Sequence, residues 1–593
     1  MLKTQSMILA RAYFHEKYID EVLLKIAETG ILHQTEALQD LRGTDYDVKV
    51  VEPSEKLFRV TSIISRIQTI LSNPRLNIEK SLVTDSTILP EGDIVSIDQE
   101  LLEIEHGHAA ITSELAKPEP NAKASADQRL AEFSKDIGRK LLAWKRQLET
   151  TRLIEEAKAK STRTAKTFVV EGWIPAERKT EFEDAVKEGS KGYYGTLYMQ
   201  PSAGSRHGSH DNKSQLDEQV AETPQKSRQG THAAQEIENP PSQIRNPRIA
   251  YVYEKLVTGF GLPNYFEIDP TIFMIISFPV IFGLMFGDVG HGLLLLFFSI
   301  LLFVANKKGV KAPELFEYMI KGSPLLVMCS ISAIFFGFLY GELFGSEVYY
   351  HVVDSLLHGV LGFSMLEAVR SASIGIENTL TAIAGFPIPV PFPFAPFEKP
   401  MLLLLISLYV AIIQIDLGLV LGLINQLRKR NYVEAIVGPG LWLWFYMSCA
   451  YLFLKYKSGI LSIVFQRADI LGIYIALPAV VMLLARTGLH GMDGFGHSLE
   501  SLISSLSNSI SYGRILALAL THGAFSQILL MFLGLEGPIM AIVGVVMWAL
   551  FTFLLILCFE GLLSFIQTLR LHWVEWFLKF YSGDGYEYKP LRL

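Results

Sequence analysis

Cysteine is scarce in this sequence, and the motifs of several common enzyme classes are missing. The three cysteines in 593 residues, Cys329, Cys449 and Cys558, lie in apolar segments at unrelated spacings. This pattern predicts neither a disulfide framework nor a cysteine zinc site. The sequence has no G-x-x-x-x-G-K-[ST], so it does not bind ATP through a P-loop. A nucleophile elbow and an H-E-x-x-H motif are also absent. We therefore expect no cofactor and no metal.

A large excess of one charge is missing as well. The formal net charge is −7, and no basic stripe alternates with aromatic residues, so we expect no nucleic-acid partner. The opening residues "MLKTQSMILARAYFHEKYIDE" lack the long apolar core and cleavage site of a signal peptide. We therefore expect the N-terminal half to be cytoplasmic.

Hydrophobic residues, by contrast, make up half of the chain. Residues 1–265 are mixed in character, whereas the remainder is a series of apolar runs, which predicts a mainly α-helical membrane protein. At about 20 apolar residues per crossing, we expect about eight transmembrane helices, the last two long and tilted. Basic residues cluster in the loops that this count places in the cytoplasm, as the positive-inside rule requires. The expected helices are 269–287, 288–305, 321–345, 400–425, 434–454, 470–485, 499–534 and 537–571.

The first 199 residues are predicted to form a cytoplasmic arm. "SMILARAYFHEKYIDEVLLKIAETGILHQTEAL" and "KTFVVEGWIPAERKTEFEDAVKEG" each have a strand followed by an amphipathic helix, which favours two small α+β lobes. Between them, 125–161 carries an apolar seam that is typical of a coiled coil joining the lobes. The alternative is an ordinary helix packed on its own lobe. The seam consists of Leu130, Phe133, Ile137, Leu141, Trp144 and Leu148.

A stretch with almost no apolar residues, 200–244, is predicted to be a disordered linker. Its histidines, His207, His210 and His232, lack metal-ligand spacing. Residues 245–268 would connect it to a transmembrane ion-translocating domain, 269–593, that ends in a short cytoplasmic tail. The segment "HGMDGFGH" at 490–497 is interpreted as a loop rather than a metal site.

Polar residues follow one face of the predicted helix 499–534. At about 100° per residue, six of them fall within about 40° of one line: Glu500, Ser504, Ser507, Ser511, Arg514 and His522. A charge near the bilayer centre costs at least about 2.5–3.5 kcal/mol, so it usually faces a protein interior or a water path. We interpret this stripe as an ion path. The alternative is a helix contact in which serines hydrogen-bond across the interface.

A second, looser polar face lies on the last predicted helix. It consists of Glu560, Ser564, Gln567 and Arg570. An intramembrane salt bridge competes with an ion path as its interpretation.

Several segments resemble a known family. "SYGRILALALTHGAFSQ" and "FEGLLSFIQTLRLHWVEWFLKFYSGDGYEYKPL" closely resemble the C-terminal helices of the a/I subunit of V/A-type rotary ATPases. "FPVIFGLMFGDVGHGLLLL" resembles the family's first membrane motif, and "FVVEGWIP" resembles part of its soluble arm. The compact size is similar to that of the archaeal and bacterial branch.

The resemblance implies a stator subunit of the Vo/Ao membrane sector, which couples ion transport to rotation and to ATP hydrolysis or synthesis elsewhere in the complex. It implies that Arg514 and Arg570 face the carboxylates of a rotating ring. Glu500 would line a cytoplasmic half-channel, and Asp288 with Glu560 an external one. The other half-channel residues would be Ser504, Ser507, Ser511, His522 and Gln567, the last at a position where some relatives have a histidine.

The implied partners are the other parts of such a complex. They are a proteolipid c/K ring, peripheral-stalk E/G-type subunits, central-stalk and catalytic V1/A1 subunits, translocated H+ or Na+, and lipid of a prokaryotic cell membrane. A secondary ion transporter with a cytoplasmic regulatory domain is the alternative, but it predicts matching halves with interrupted helices, and the sequence has no internal repeat. A purely structural membrane anchor would leave the Arg514 stripe unexplained.

Overall fold

The computed structural model describes most of the chain. The described residues are 5–35, 49–71, 93–115, 120–164, 166–201, 240–244, 246–247, 250–310, 313–362, 364–384, 392, 394, 396–456, 468–534 and 536–593. They fall into two compact units. The N-terminal unit comes mainly from residues 6–202 together with 588–593, and the membrane unit mainly from 242–587. Most of the predicted linker, 202–239, lies outside the described residues.

One antiparallel sheet organises the N-terminal unit. Its strands are β1 (Met7–His15), β2 (His33–Gln34), β3 (Lys49–Val50), β4 (Thr162–Arg163), β5 (Thr167–Pro175) and β6 (Tyr194–Met199). The strand order is β3-β4-β5-β1-β6, and β2 also pairs with β5. The described residues of this unit form the α-helices α1 (Ile19–Thr29), α2 (Glu55–Leu71), α3 (Ile94–Leu115), α4 (Pro120–Ala159) and α5 (Lys179–Gly189).

The prediction of two small lobes is not confirmed for this unit. Both strand–helix pairs belong to one sheet, because β1 and β5 are neighbours from Met7↔Pro175 to His15↔Thr167. Helices α1 and α5 share a core with these strands, in which Val22 and Val186 are fully buried. Each strand–helix pair alone would leave an apolar face in water, and joining the two pairs covers both faces.

The described part of the predicted coiled-coil seam packs inside the same unit. Leu141, Trp144 and Leu148 of α4 are buried against apolar side chains of α2 and α3, among them Ile67 and Leu101. The side chains of Leu130 and Phe133 lie outside the described residues. The seam is therefore, over this stretch, the core of a three-helix packing rather than one face of a two-stranded coil.

Residues 588–593 complete the N-terminal unit. The backbone N–H of Leu591 donates to the carbonyl of Leu32 at 2.8 Å, and the Leu591 side chain packs against the core of the sheet. The N–H of Lys589 donates to Nδ1 of His33 at 2.8 Å. Segments nearly 560 positions apart in the chain thus form one folded unit.

Arg11 and Glu171 form a buried ion pair between β1 and β5. The two residues are directly opposite each other in the register, Nε of Arg11 contacts Oε2 of Glu171, and both residues are less than a tenth exposed. We expect Glu171→Gln to destabilise the unit by about 3–5 kcal/mol, because it leaves a buried guanidinium without its counter-charge. Thermal unfolding followed by tryptophan fluorescence measures this.

The matched control removes the carboxylate of an exposed pair. Glu55 contacts Arg59 at 2.9 Å, but their side chains are 82% and 62% exposed, so Glu55→Gln should cost less than about 1 kcal/mol. Equal shifts for the two variants would show that the burial of the Arg11–Glu171 pair has no energetic consequence.

The membrane unit is helical. Its helices are α6 (Tyr251–Phe260), α7 (Thr271–Met285), α8 (Val289–Lys307), α9 (Glu314–Lys321), α10 (Ser323–Tyr340), α11 (Glu347–Leu361), α12 (Met365–Ala384), α13 (Pro400–Arg428), α14 (Tyr432–Ala435), α15 (Leu441–Tyr456), α16 (Ala468–Leu471), α17 (Leu477–Ser511), α18 (Gly513–Leu530), α19 (Pro538–Phe551) and α20 (Gly561–Arg570). π-Helical segments interrupt this order at Ile436–Gly440, Gly472–Ala476, Thr552–Glu560 and Leu571–Trp576.

Among the described residues, six helical runs are long and apolar enough to cross a membrane: Val289–Lys307, Ser323–Tyr340, Pro400–Arg428, Tyr432–Tyr456, Asp469–Gly534 and Pro538–Lys579. The predicted count of eight is not confirmed. The first expected crossing is the shorter helix Thr271–Met285, and the expected helices 470–485 and 499–534 lie in the single run Asp469–Gly534.

Gly491 breaks that long run. Its backbone has φ 63° and ψ −140° inside α17, a conformation close to the region reserved for glycine. The segment 490–497, predicted to be a loop, is therefore helical apart from this break. A run of 66 residues would be about 99 Å long if straight, about three times the hydrocarbon thickness, so a break is physically required.

We expect Gly491→Ala to lower the midpoint of thermal unfolding in detergent, at a cost of about 1–3 kcal/mol. An added Cβ would meet no atom of the described residues within 4 Å, so the cost is purely conformational. Gly488→Ala is the control: it has equally open surroundings but lies in helical backbone, where alanine should be neutral or stabilising. A Gly491→Ala midpoint at or above that of Gly488→Ala would contradict this account.

Candidate functional site

Arg514 lies in the first turn of α18 and is paired within the chain. Its Nη1 is 3.0 Å from Oε1 of Glu575, and the side chains of Arg514 and Glu575 are 27% and 3% exposed. The same nitrogen donates to the carbonyl of Ser511 at 3.2 Å. Glu575 comes from the π-helical segment Leu571–Trp576. A buried carboxylate thus holds a guanidinium that keeps about a quarter of its surface open.

The open side of Arg514 borders a groove of about 690 Å³. The lining residues are Leu502, Ile503, Leu506, Ser507, Ile510, Ser511 and Arg514. The structure therefore brings three residues of the predicted stripe, Ser507, Ser511 and Arg514, to one apolar surface depression. Glu500 lies further along α17, where its carboxylate is 3.6 Å from Nδ1 of His497 and both side chains are 73% exposed. Ser504 is partly exposed.

The opposite face of α17 carries a second set of serines that the sequence analysis missed. Ser505 accepts from the indole N–H of Trp442 at 2.8 Å, and Ser509 is 2.9 Å from the hydroxyl of Tyr446. Ser501 accepts from Nη1 of Arg486 at 2.7 Å. Ser505 and Ser509 thus join α17 to α15, whereas Ser501 binds Arg486 of α17 itself across the break at Gly491. This face of α17 therefore forms helix contacts.

His522, Asp288 and Glu560 meet in a buried polar cluster. Nδ1 of His522 is 3.1 Å from Oε1 of Glu560, and its Nε2 is 4.0 Å from Oδ2 of Asp288. His291 also belongs to the cluster, with its Nδ1 3.3 Å from Oδ1 of Asp288. These four residues are at most 2% exposed. The buried Glu342 is within electrostatic range of His522.

The turn before α8 fixes the position of Asp288. Its carboxylate caps α8 by accepting from the N–H of His291 at 2.9 Å. It also accepts from the N–H groups of Phe344 and Gly345, at 3.0 Å and 2.6 Å. The backbones approach closely here because Gly337 lacks a side chain: a Cβ at this position would collide with Asp288 and Val289. The acidic group is therefore held rigidly by three backbone donors.

The predicted stripe does not continue from Arg514 to His522. His522 is buried, whereas Arg514 faces the open groove. Both residues lie in α18, where eight residues at about 100° each place them about 80° apart around the helix axis, at opposite edges of the projected stripe. Of the second predicted face, Ser564 is buried, Gln567 is partly buried and Arg570 is exposed.

Three residues near these groups were missed by sequence reasoning: His291, Glu342 and Glu575. His291 and Glu575 stand inside "FGDVGHG" and "RLHWVEW", segments already singled out for other residues. Attention to every titratable residue in those motifs would have found both. Glu342 lies in an apolar segment, where a carboxyl group is rare enough to be a signal by itself.

The two sites have different chemical capacities. The buried cluster combines imidazole and carboxyl groups, which can each hold or accept a proton, whereas the guanidinium of Arg514 stays protonated. Arg514 can therefore only present a permanent positive charge.

Comparison with known families bears directly on this arrangement. Residues 92–353 and 493–593 match the model of the "V-type ATPase 116kDa subunit family". These segments include both the Arg514 site and the buried cluster, and together they make up more than half of the chain. The chain belongs to this family. The resemblance found in the sequence is thereby confirmed.

Proteins similar to this chain occur in archaea and plants. The A-type ATP synthase subunit I of Methanocaldococcus jannaschii is 24% identical over 81% of this chain and 63% of its own length. Its counterpart from Saccharolobus solfataricus is 30% identical over 60% of this chain and 55% of its own. V-type proton ATPase subunit a3 of Arabidopsis thaliana is 25% identical over 72% and 58%. The matched region thus spans little more than half of these relatives.

We expect Arg514 and Glu575 to be energetically coupled. In a double-mutant cycle of Arg514→Gln and Glu575→Gln, the coupling energy should be at least about 0.5 kcal/mol. Reversible unfolding of the full chain in mixed micelles of increasing dodecyl sulfate content measures it. The control cycle combines Glu575→Gln with Arg570→Gln, whose side chain is exposed, and should be additive. Additivity in both cycles would contradict the pairing.

Proposed function

We propose that the chain is the membrane stator subunit of a V/A-type rotary ATPase. It supplies two ion half-channels and an arginine, Arg514, that faces the carboxylates of a rotating proteolipid ring. Proton or sodium transport is thereby coupled to ring rotation and to ATP hydrolysis or synthesis in the soluble sector. Relatives named as subunits of such enzymes support this assignment.

The proposal rests on one observation: Arg514 is paired with Glu575, yet its side chain stays partly exposed. A fully buried ion pair would be a structural element, and a fully exposed arginine would have no reason to lie among apolar side chains. Arg514 is held on one side by Glu575 and borders an apolar groove on the other. A carboxylate on a neighbouring, moving surface can therefore approach the guanidinium without first breaking its internal pair.

The polar residues on the two sides of Arg514 provide the paths to it. Glu500 precedes Arg514 by 14 positions, about 21 Å of helix, and His522 follows it by eight, about 12 Å. Glu500, with Ser507 and Ser511, would line the cytoplasmic half-channel. Asp288, His522 and Glu560 would form the external half-channel, in which a proton can pass between imidazole and carboxyl groups.

The mechanism follows from the cost of charge in lipid. A ring carboxylate must be neutral where it faces lipid, but an adjacent positive charge favours its ionised form. Since Arg514 does not release its proton, it ionises each passing carboxylate and separates the two half-channels. Each ion that crosses contributes about 2.3 kcal/mol per 100 mV of membrane potential.

The other parts of the assembly follow from this role. The N-terminal unit and the C-terminal tail would lie in the cytoplasm, where the helices α2, α3 and α4 would meet E/G-type peripheral-stalk subunits and resist torque. The membrane unit would lie in a cell membrane beside the c/K ring. Central-stalk and catalytic subunits would be reached through the assembled complex.

The proposal predicts that the charge of Arg514 matters more than its packing. Arg514→Gln keeps much of the side-chain volume and hydrogen bonding but removes the charge, so the complex should assemble but lose coupled ion transport. Arg514→Lys should also be severely impaired, because it loses the planar fork and can deprotonate when desolvated. ATP-driven ion uptake into vesicles containing the purified complex measures both. Arg570→Gln should have a milder effect.

The matched control is Arg370→Gln, which changes an exposed arginine of α12 and should leave uptake unchanged. Assembled Arg514→Gln complexes that transport at the wild-type rate would overturn the proposal. A secondary transporter is distinguished at the purification step, because it would not copurify with a proteolipid ring and soluble ATPase subunits.

A further inference from the structure

We propose that Asp288, His291 and His522 form a binding site for a divalent transition-metal cation, with Zn²⁺ as the best match. The binding itself does not depend on the proposed function. Its consequence does: a metal ion there would withdraw Asp288 and His522 from the external half-channel and block ion transport.

The three side chains already have nearly the spacing that such an ion requires. One ligand atom from each residue lies within 4.8 Å of the other two. Zinc takes nitrogen and oxygen ligands at about 2.0–2.2 Å, so the ligand atoms of a tetrahedral ion are about 3.3–3.6 Å apart. The distance from Asp288 to His291 is 3.3 Å and that to His522 is 4.0 Å. The first of these distances is to Oδ1 and the second to Oδ2 of Asp288, and the widest separation allowed in the set is 4.8 Å, so the ligand atoms would have to draw together by up to about 1 Å around the ion.

Two ring nitrogens at the centre of the cluster have no hydrogen-bond partner. Nδ1 of His291 and Nε2 of His522 are buried, and neither makes a hydrogen bond with the described residues. Buried polar atoms are nearly always paired, and an unpaired one needs an explanation. Both nitrogens are directed towards the carboxylate of Asp288, so a single cation between the three groups would satisfy them together.

Glu560 orients His522 as a second-sphere carboxylate does in zinc sites. A metal-bound histidine usually donates its other N–H to a carboxylate, which fixes the tautomer and the ring orientation. Nδ1 of His522 is 3.1 Å from Oε1 of Glu560, which leaves Nε2 as the free ligand atom. The rings of His291 and His522 are nearly perpendicular, with centroids 5.1 Å apart.

The donor set determines which cation fits. Two imidazoles and one carboxylate suit Zn²⁺ and similar transition metals, whereas Mg²⁺ and Ca²⁺ prefer sets made of oxygen atoms. Sequence spacing gave no hint of the site, because His522 is more than 200 positions away from Asp288 and His291.

Cobalt(II) absorption spectroscopy tests the proposal. The full-length chain, purified with a tag that contains no histidine, is titrated with CoCl₂. We expect visible d–d bands of a low-coordinate site that saturate at one equivalent, disappear on addition of ZnCl₂ and persist in millimolar MgCl₂. His291→Gln should weaken cobalt binding at least tenfold. His358→Gln, which changes an exposed histidine of α11, should bind as the wild type does.

Two further measurements keep the result unambiguous. A chain with His207, His210 and His232 replaced by serine must give the same bands, since otherwise the metal binds in that segment. The midpoint of thermal unfolding of His291→Gln shows whether this variant is folded. If it is not, the cobalt titration of the wild-type chain decides by itself whether the site exists. The proposed site is wrong if the wild-type chain gives no saturable bands. It is also wrong if a folded His291→Gln chain binds cobalt with unchanged affinity.

The transport consequence is measured separately on the assembled complex. Micromolar ZnCl₂ on the external side should inhibit the wild type, and the inhibitory concentration should rise at least tenfold in His291→Gln, relative to the zinc-free rate of that variant. Cobalt binding without zinc inhibition would retain the metal site and reject its placement in the external half-channel.

Discussion

The cost of placing charge among apolar side chains governs the whole membrane unit. Ion pairs in this unit join distant segments among the described residues: Arg514 meets Glu575, and His522 meets Glu560 and Asp288. These contacts connect helices that are far apart in the chain. The packing of α7, α8, α18 and the last helices is therefore inseparable from the pairing of their charges.

π-Helical segments contribute to this pairing. Glu560 ends one such segment and Glu575 lies within another. A π-turn inserts an extra residue into a helix, and such turns are frequent at functional sites. The insertion shifts the direction of every later side chain relative to a regular helix, so a uniform step of about 100° from the start of the run does not give the direction of Glu575.

Much of the architecture could be read from the sequence, and the limits have physical causes. Apolar runs located the membrane helices, and helical periodicity placed Ser507, Ser511 and Arg514 on one face, because the backbone stays helical in φ and ψ through Tyr512. The same stripe did not extend to His522, which lies about 80° from Arg514 around the axis of α18. Local patterns did not reveal the shared sheet, because β1 and β5 pair over 160 positions, as at Arg11↔Glu171. His291 was missed because only the geometry reveals its nearness to His522.

The contacts of residues 588–593 with the N-terminal sheet have a consequence for biosynthesis. Leu591 hydrogen-bonds to Leu32 and packs into the sheet core, yet it is translated after the entire membrane unit. The N-terminal unit therefore lacks these contacts on the ribosome until residues 242–587 have been made. A chain truncated within the membrane unit would leave the β2 edge and its apolar neighbours uncovered.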